Sequence, residues 1–287
     1  MGRYSSARLE HPAHTRYVPG SNPGTATMPC QKNNPLPLSE RERQPSVARV
    51  RRVLASILDH SSEPWRFCSV LVACSGGADS STLLDALAYL GKSRQIRVEV
   101  AHVDHGLRPE SAGEADLVRV LSQERGVPFH QLSVGVVAGK GDSVQNAARA
   151  ARMGVLERLA GERNCDVIAF GHTADDQAET VLMRVLDGAT PGALCGILPR
   201  SGMRIHPMLG IWRRQTEAYC RAMGIHYLDD PSNENRRYRR VRIRKEVMPV
   251  LESISPGAKR RLVVLGARMA YPDQRDLASR VPRERDS

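Results

Sequence analysis

The chain has 287 residues, 41% of them hydrophobic and 25% charged, and a net charge of +11. This composition excludes collagen-like, coiled-coil and wholly disordered chains, and the length suits one large domain or two modest ones. A basic balance of this size points to an acidic partner, with nucleic acid the first candidate. Residues 1–45 hold 7 of the 18 prolines and no periodic apolar pattern, so they are expected to be a disordered tail, with Met28 as an alternative start. From Val47 onward, Val50, Val53, Leu54, Ile57 and Leu58 recur at helical spacing. The apolar run from Phe67 to Cys74 reads as a strand and ends in Ser75-Gly76-Gly77, after which Asp79 to Leu90 reads as a helix. Arg97 to Val103 is a second strand, Ser111 to Arg125 a helix stopped by Gly126, and Phe129 to Val134 a third strand. Val144 to Arg163 is a long helix, Cys165 to Phe170 a fourth strand, and Asp176 to Leu186 a helix stopped by Gly188. Beyond residue 200 the alternation fades into helices over Arg213–Met223 and Arg236–Leu251.

Strands alternating with helices predict βαβ units, hence an α/β fold with a doubly wound parallel sheet of Rossmann-like type. The charge is uneven. Residues 46–198 carry 16 Lys+Arg against 18 Asp+Glu, whereas residues 199–287 carry 20 against 10. The expected organisation is a tail (1–45), a catalytic domain (46–198) and a basic, mainly helical segment (199–287). The longest apolar runs, Val70–Ala73 and Val263–Leu265, fall far short of the ~20 residues a bilayer span needs. With no apolar leader at the N-terminus, a cytoplasmic protein is expected. The six cysteines include no C-x-x-C pair, which predicts reduced thiols rather than a zinc or iron–sulfur site.

In such sheets ligands bind beyond the carboxyl ends of the strands, and three polar clusters fall there. Ser75-Gly76-Gly77-Ala78-Asp79-Ser80 follows the first strand and opens a helix. Its glycines admit an anion close to the backbone, and the helix N-terminus favours phosphate. It lacks the Gly-Lys-Ser/Thr of a Walker loop and the Gly-x-Gly-x-x-Gly of a dinucleotide turn. Asp79 would repel phosphate unless Mg²⁺ bridges the two; a plain strand-to-helix turn with capping residues is the bland alternative. The second cluster, Asp104 to Arg108, offers Arg108 as a phosphate neutraliser. The third runs from Gly171 to Thr180. Its His172 stands at a strand end, and Asp176 and Glu179 share a helix face, where they could hold Mg²⁺ or a substrate ammonium, while Asp175 and Asp176 could simply cap the helix. Arg149 and Arg152 share a face of an Ala-rich helix and could reach phosphates. Arg236–Lys245 is cationic at seven of ten positions, which suits a nucleic-acid backbone.

The Ser75–Ser80 motif resembles the S-G-G-x-D-S loop of the PP-loop (N-type) ATP pyrophosphatases. With His102-Val-Asp-His-Gly-Leu-Arg108, Ala148–Arg152, Gly171–Thr180, Asp230-Pro-Ser-Asn233 and the stretch from Arg240 to Leu251 with Pro249, the ordered set is similar to the tRNA(Ile)-lysidine synthases over roughly residues 65–255. Many members carry Arg-Asn where this chain has Arg240-Val241, and long members continue further beyond the position of Leu251. The resemblance implies ATP and Mg²⁺ as cofactors, free L-lysine and a CAU-anticodon tRNA(Ile) as substrates, and a homodimer is left open. The wobble cytidine would be adenylated with loss of pyrophosphate, and lysine would then displace AMP. Ser75–Ser80 would hold the phosphates, with Asp79 and Asp176 available to metal. Asp176 and Glu179 would bind or deprotonate lysine beside His172, and Arg108, Arg149 and Arg152 would offset negative charge. Two rivals stand beside this reading: a sulfur-inserting tRNA enzyme of the same loop family, and a non-catalytic RNA-binding protein with a vestigial nucleotide pocket.

Overall fold

The computed structural model describes residues 36–59, 67–104, 111–134, 142–228 and 235–270. Cys30, His105, Arg108, Asp230-Pro-Ser-Asn233 and residues 1–35 of the expected tail lie outside the described residues. The sheet has six strands: β1 (Ser69–Ala73), β2 (Arg97–Asp104), β3 (Phe129–Ser133), β4 (Val167–Phe170), β5 (Arg200–Ser201) and β6 (Arg204–Ile205), in the order β3-β2-β1-β4-β6-β5. All neighbours are parallel except the β5–β6 edge. β1 and β4 are buried at every position, as the apolar runs Val70–Ala73 and Val167–Phe170 require of strands covered on both faces.

Alternation along β1 divides the core. Val70 and Val72 point into one layer with Leu83 and Leu87 of α3 (Ala78–Arg94), Val50 and Leu54 of α2 (Pro45–Leu58), and Tyr219 and Met223 of α7 (Arg213–Met223). Leu71 and Ala73 face the other layer with Leu156 and Leu159 of α5 (Asp142–Glu162). Val118 and Leu121 of α4 (Ser111–Arg125) join the first layer. A third apolar cluster unites α6 (Ala174–Leu186) with Trp212, Ile243, Met248 and Val263.

The chain leaves β1 toward β2 and β3, then returns to place β4 on the other side of β1. Strand order therefore reverses between β1 and β4, and the crevice at that reversal is where such folds receive ligands. Two glycines shape it. Gly76 has φ +87, which L side chains rarely adopt. A Cβ on Gly171 would stand 3.0 Å from both N and Cα of Ser80, so only glycine lets the end of β4 pack against the first turn of α3.

Sequence and structure part in three places. The tail reading extends too far, because α1 (Leu38–Glu42) is helical and Arg41 donates to the Met223 carbonyl at 3.0 Å. The division expected at residue 198 falls inside the sheet, since β6 pairs with β4 and α7 shares the core of α3. A two-residue strand is too short to show a period, which hid it from the sequence. Finally, the basic helix is not continuous: α8 (Arg239–Arg242) passes through a π turn, Ile243–Val247, into α9 (Met248–Ile254) and then α10 (Ala258–Ala270). Pro249 has no N–H for the Lys245 carbonyl and its ring crowds that group, so the helix widens just before it. Among the described residues, no helix is long and apolar enough to cross a membrane.

Candidate active site

The carboxyl ends of β1, β2 and β4, the first turns of α3, α6 and α7, and the basic stretch around α8 enclose one cavity of about 630 Å³. Its floor is the glycine-rich turn. Ser75 N donates to Ser80 Oγ at 3.1 Å, and the Ser75 and Ser80 hydroxyls lie 3.2 Å apart. Ser80 Oγ also reaches the Gly77 carbonyl at 3.1 Å. The two serines thus tie the turn into a ring at the N-terminus of α3, where leading amides lack intrahelical partners. His102 holds the base of the turn through Nδ1, 3.0 Å from the Cys74 carbonyl oxygen.

Two carboxylates face this floor and share one cation. Asp79 Oδ2 accepts from Arg213 Nε at 3.2 Å, while its Oδ1 accepts from Thr216 Oγ1. Arg213 Nη2 reaches Asp176 Oδ1, also at 3.2 Å. Burial pushes the Asp79 carboxyl up to about 6 despite Arg213 and Thr216, and Asp176 adds to the rise. Asp176 is buried as well, yet Arg240, Arg213 and the Thr173 amide outweigh burial and hold it below the usual carboxylate range. The Arg213 guanidinium, though buried, is held above its ordinary value by Asp176 and Asp79.

Asp176 divides its oxygens between two tasks. Oδ2 accepts from Thr173 N at 2.8 Å and Thr173 Oγ1 at 2.9 Å, so it does cap α6, while Oδ1 faces the cations. The neighbouring Asp175 turns elsewhere. It accepts from Arg213 N at 2.9 Å and from Lys259 Nζ at 3.4 Å, binding α7 and α10 to α6. Glu179, one turn on, is buried beneath Arg240 and Arg244. His172 lines the cavity next to His206, with ring centroids 4.9 Å apart, and burial drives it down to about 4, so it is neutral at pH 7. Its Nδ1 is buried without a hydrogen-bond partner among the described residues.

A PP-loop domain model matches residues 49–251 of the chain. The chain belongs to the PP-loop family. It is similar to the tRNA(Ile)-lysidine synthase of Deinococcus radiodurans, with 40% identity over 76% of this chain and 36% of that protein. The tRNA(Ile)-lysidine synthase of Thermobifida fusca is likewise 40% identical, over 66% of this chain and 58% of that one. The PP-loop chain therefore spans between 36% and 58% of the length of these two curated relatives. Among solved structures, the U34-tRNA thiolase of Methanococcus maripaludis shares the fold, with a TM-score of 0.65 at 20% identity over 78% of each chain.

Of the residues the sequence singled out in this PP-loop chain, Ser75, Gly77, Ala78, Asp79, Ser80, Arg152, His172 and Asp176 line the common cavity. Gly76 supplies the turn's positive φ. Arg152 is half-buried, and burial together with Arg149 lowers its guanidinium. Arg149 itself is exposed and Glu179 sits beneath the two arginines, so neither lines the cavity. Sequence reasoning missed Arg213, Thr216 and His206, which stand far along the chain in no motif. Arg244 was seen within a charge run, and Arg240 there and at the head of the stretch that carries the resemblance, neither with an acidic partner. The one available signal for Arg213 was a basic residue opening a helix.

Proposed function

We propose that this PP-loop chain ligates free L-lysine to the wobble cytidine of a CAU-anticodon tRNA(Ile), using ATP and releasing pyrophosphate and AMP. The observation that carries the reading is the meeting of a phosphate-sized glycine turn and the Asp79–Arg213–Asp176 bridge in one cavity roofed by arginines. The likeness to curated tRNA(Ile)-lysidine synthases supports this choice of substrates.

Ser75 to Ser80 receive the phosphates of ATP through backbone amides and hydroxyls. Mg²⁺ would be held beside the ATP phosphates, where it would neutralise their charge. It needs few protein carboxylates when phosphate oxygens and water complete its shell. Asp79 and Asp176 fit that need, being two acids already spanned by a single cation, Arg213. Among the described residues no group of three or more His, Cys, Asp or Glu makes an all-protein cage. When the cytidine carbonyl attacks the α-phosphorus, the α–β bridge breaks and pyrophosphate leaves. Arg152, half-buried at the cavity wall, offsets the charge that develops. Arg108 is assigned the same task. The lysine amine then attacks the activated base carbon and AMP leaves with the former carbonyl oxygen. Asp176 and Glu179 hold the lysine ammonium, and neutral His172 accepts or relays a proton beside them.

The test is mass spectrometry of CAU-anticodon tRNA after incubation with ATP and isotope-labelled lysine. A lysine-sized mass gain on the wobble cytidine, with one pyrophosphate released per tRNA, is the expected result. No gain refutes the reading; incorporation of sulfur when a sulfur donor replaces lysine would install the thiolation alternative. ATP-independent tRNA binding without pyrophosphate release would mark a non-catalytic binder.

A further inference from the structure

Asp176 and Glu179 already hold cations of their own chain. The Glu179 side chain is only 3% exposed, and both its oxygens are occupied. Arg244 Nε donates to Oε1 at 2.6 Å, while Arg240 Nε and Arg244 Nη2 donate to Oε2 at 2.7 and 3.2 Å. Asp176 has one oxygen left after capping α6, and Arg240 Nη2 takes it at 3.0 Å alongside Arg213. The acids suited to a substrate ammonium are thus closed by guanidiniums.

Those guanidiniums are far more accessible than the acids. The Arg240 and Arg244 side chains are 34% and 25% exposed, and both line the cavity. They lie within the stretch whose Arg236, Arg237, Arg239 and Arg242 are exposed on the surface. Arg244 sits in the π turn, and a widened turn is a common feature of functional helix segments. A guanidinium grips phosphate with the same fork it offers a carboxylate, so a polyanion laid on this surface competes directly with Glu179 and Asp176 for these two side chains.

We propose that Arg240 and Arg244 form a latch that keeps Asp176 and Glu179 closed to a cationic substrate until RNA phosphate draws the guanidiniums away. The proposal rests on the lysine and tRNA reading above and adds an order to it: RNA enters first and lysine second. The consequence is protective, because lysine bound without RNA would sit beside ATP with no activated base to attack. Linkage makes the coupling reciprocal, so bound lysine tightens RNA binding by the same factor.

Two measurements on the full chain test this. Calorimetric titration of L-lysine, with and without a CAU-anticodon tRNA transcript and without ATP, is expected to show roughly tenfold tighter lysine binding when tRNA is present. The double variant Arg240→Gln, Arg244→Gln should bind lysine without RNA as tightly as the parent does with it. In the parent protein, the Arg240 and Arg244 Nε–H resonances should shift on tRNA addition, a readout that does not depend on the variant folding. Equal lysine affinity with and without tRNA overturns the latch and leaves the lysine reading intact, and unmoved arginine resonances overturn it as well. Resonances that move while no lysine binds in any state overturn the lysine reading and the latch together.

Discussion

Asp79 shows how burial and a neighbouring acid shift a single carboxylate of the candidate site. Burial raises it to about 6, and Asp176 adds to the rise, while Arg213 and Thr216 pull it back. The folded value lies above the unfolded ~3.9, so the folded chain keeps this proton longer. Asp79 therefore contributes stability that is fully present below pH ~4 and is lost as pH rises through about 6. Under the proposed function, chemistry runs the other way, because only the carboxylate would serve a magnesium-bound phosphate. In the free protein, kcat/KM for ATP-dependent pyrophosphate release should fall about tenfold per pH unit below about 6. Asp79→Asn should remove that dependence along with most of the rate. A parent profile flat from pH 7 to 5 would count against the role. The motif around Asp79 made the residue legible in the sequence. Its counter-ion was not legible, since Arg213 stands 134 residues away and only packing joins them.

At the level of elements, α3 is the hub, and two close approaches hold it in register with the rest. One is the approach of β4 through Gly171. A Cβ there would meet Ser80 backbone atoms at 3.0 Å and the Asp79 carbonyl carbon at 3.1 Å, none of which can rotate away. Gly171→Ala should cost about 1–3 kcal/mol in urea unfolding and weaken ATP binding by shifting the turn. The other is Asp85, which is fully buried and bonded by Arg51 of α2, Arg125 of α4 and Tyr219 of α7. Asp85→Ala would strand two arginines and should cost about 3–5 kcal/mol, read from the same unfolding curves. A loss below about 1 kcal/mol would mean water replaces the carboxylate at little cost. The sequence foretold every long helix through α7, because each fills a long stretch between an apolar strand or turn and a stop signal. It missed α1, which spans only Leu38–Glu42 and buries no residue, and the β5–β6 pair, whose strands are two residues each.

Over the whole molecule, charge is sorted by position. Inside the cavity Arg213, Arg240 and Arg244 are matched with acids, whereas Arg236, Arg237, Arg239 and Arg242 reach outward with at most surface acids as neighbours. Exposed ion pairs of that kind are worth little, so these arginines remain available to phosphate. The logarithm of tRNA affinity should fall linearly with the logarithm of salt concentration. Arg237→Gln with Arg239→Gln should flatten the slope by roughly one for each phosphate that is no longer neutralised. An unchanged slope in filter binding would place the RNA elsewhere.

The sequence by itself determined the α/β alternation, the glycine turn at Ser75–Ser80, the acid-bearing start of α6 and the concentration of cations in the last third. Each of these is a local pattern, set by residue period, glycine placement and charge density. Tertiary structure alone decided which cation answers which acid. It carried the sheet past residue 198, set Arg213 between Asp79 and Asp176, laid Arg240 and Arg244 over Glu179, and left Arg149 outside the cavity. The physical reason is that a buried charge requires a counter-ion, and the fold can bring that partner from any distance along the chain.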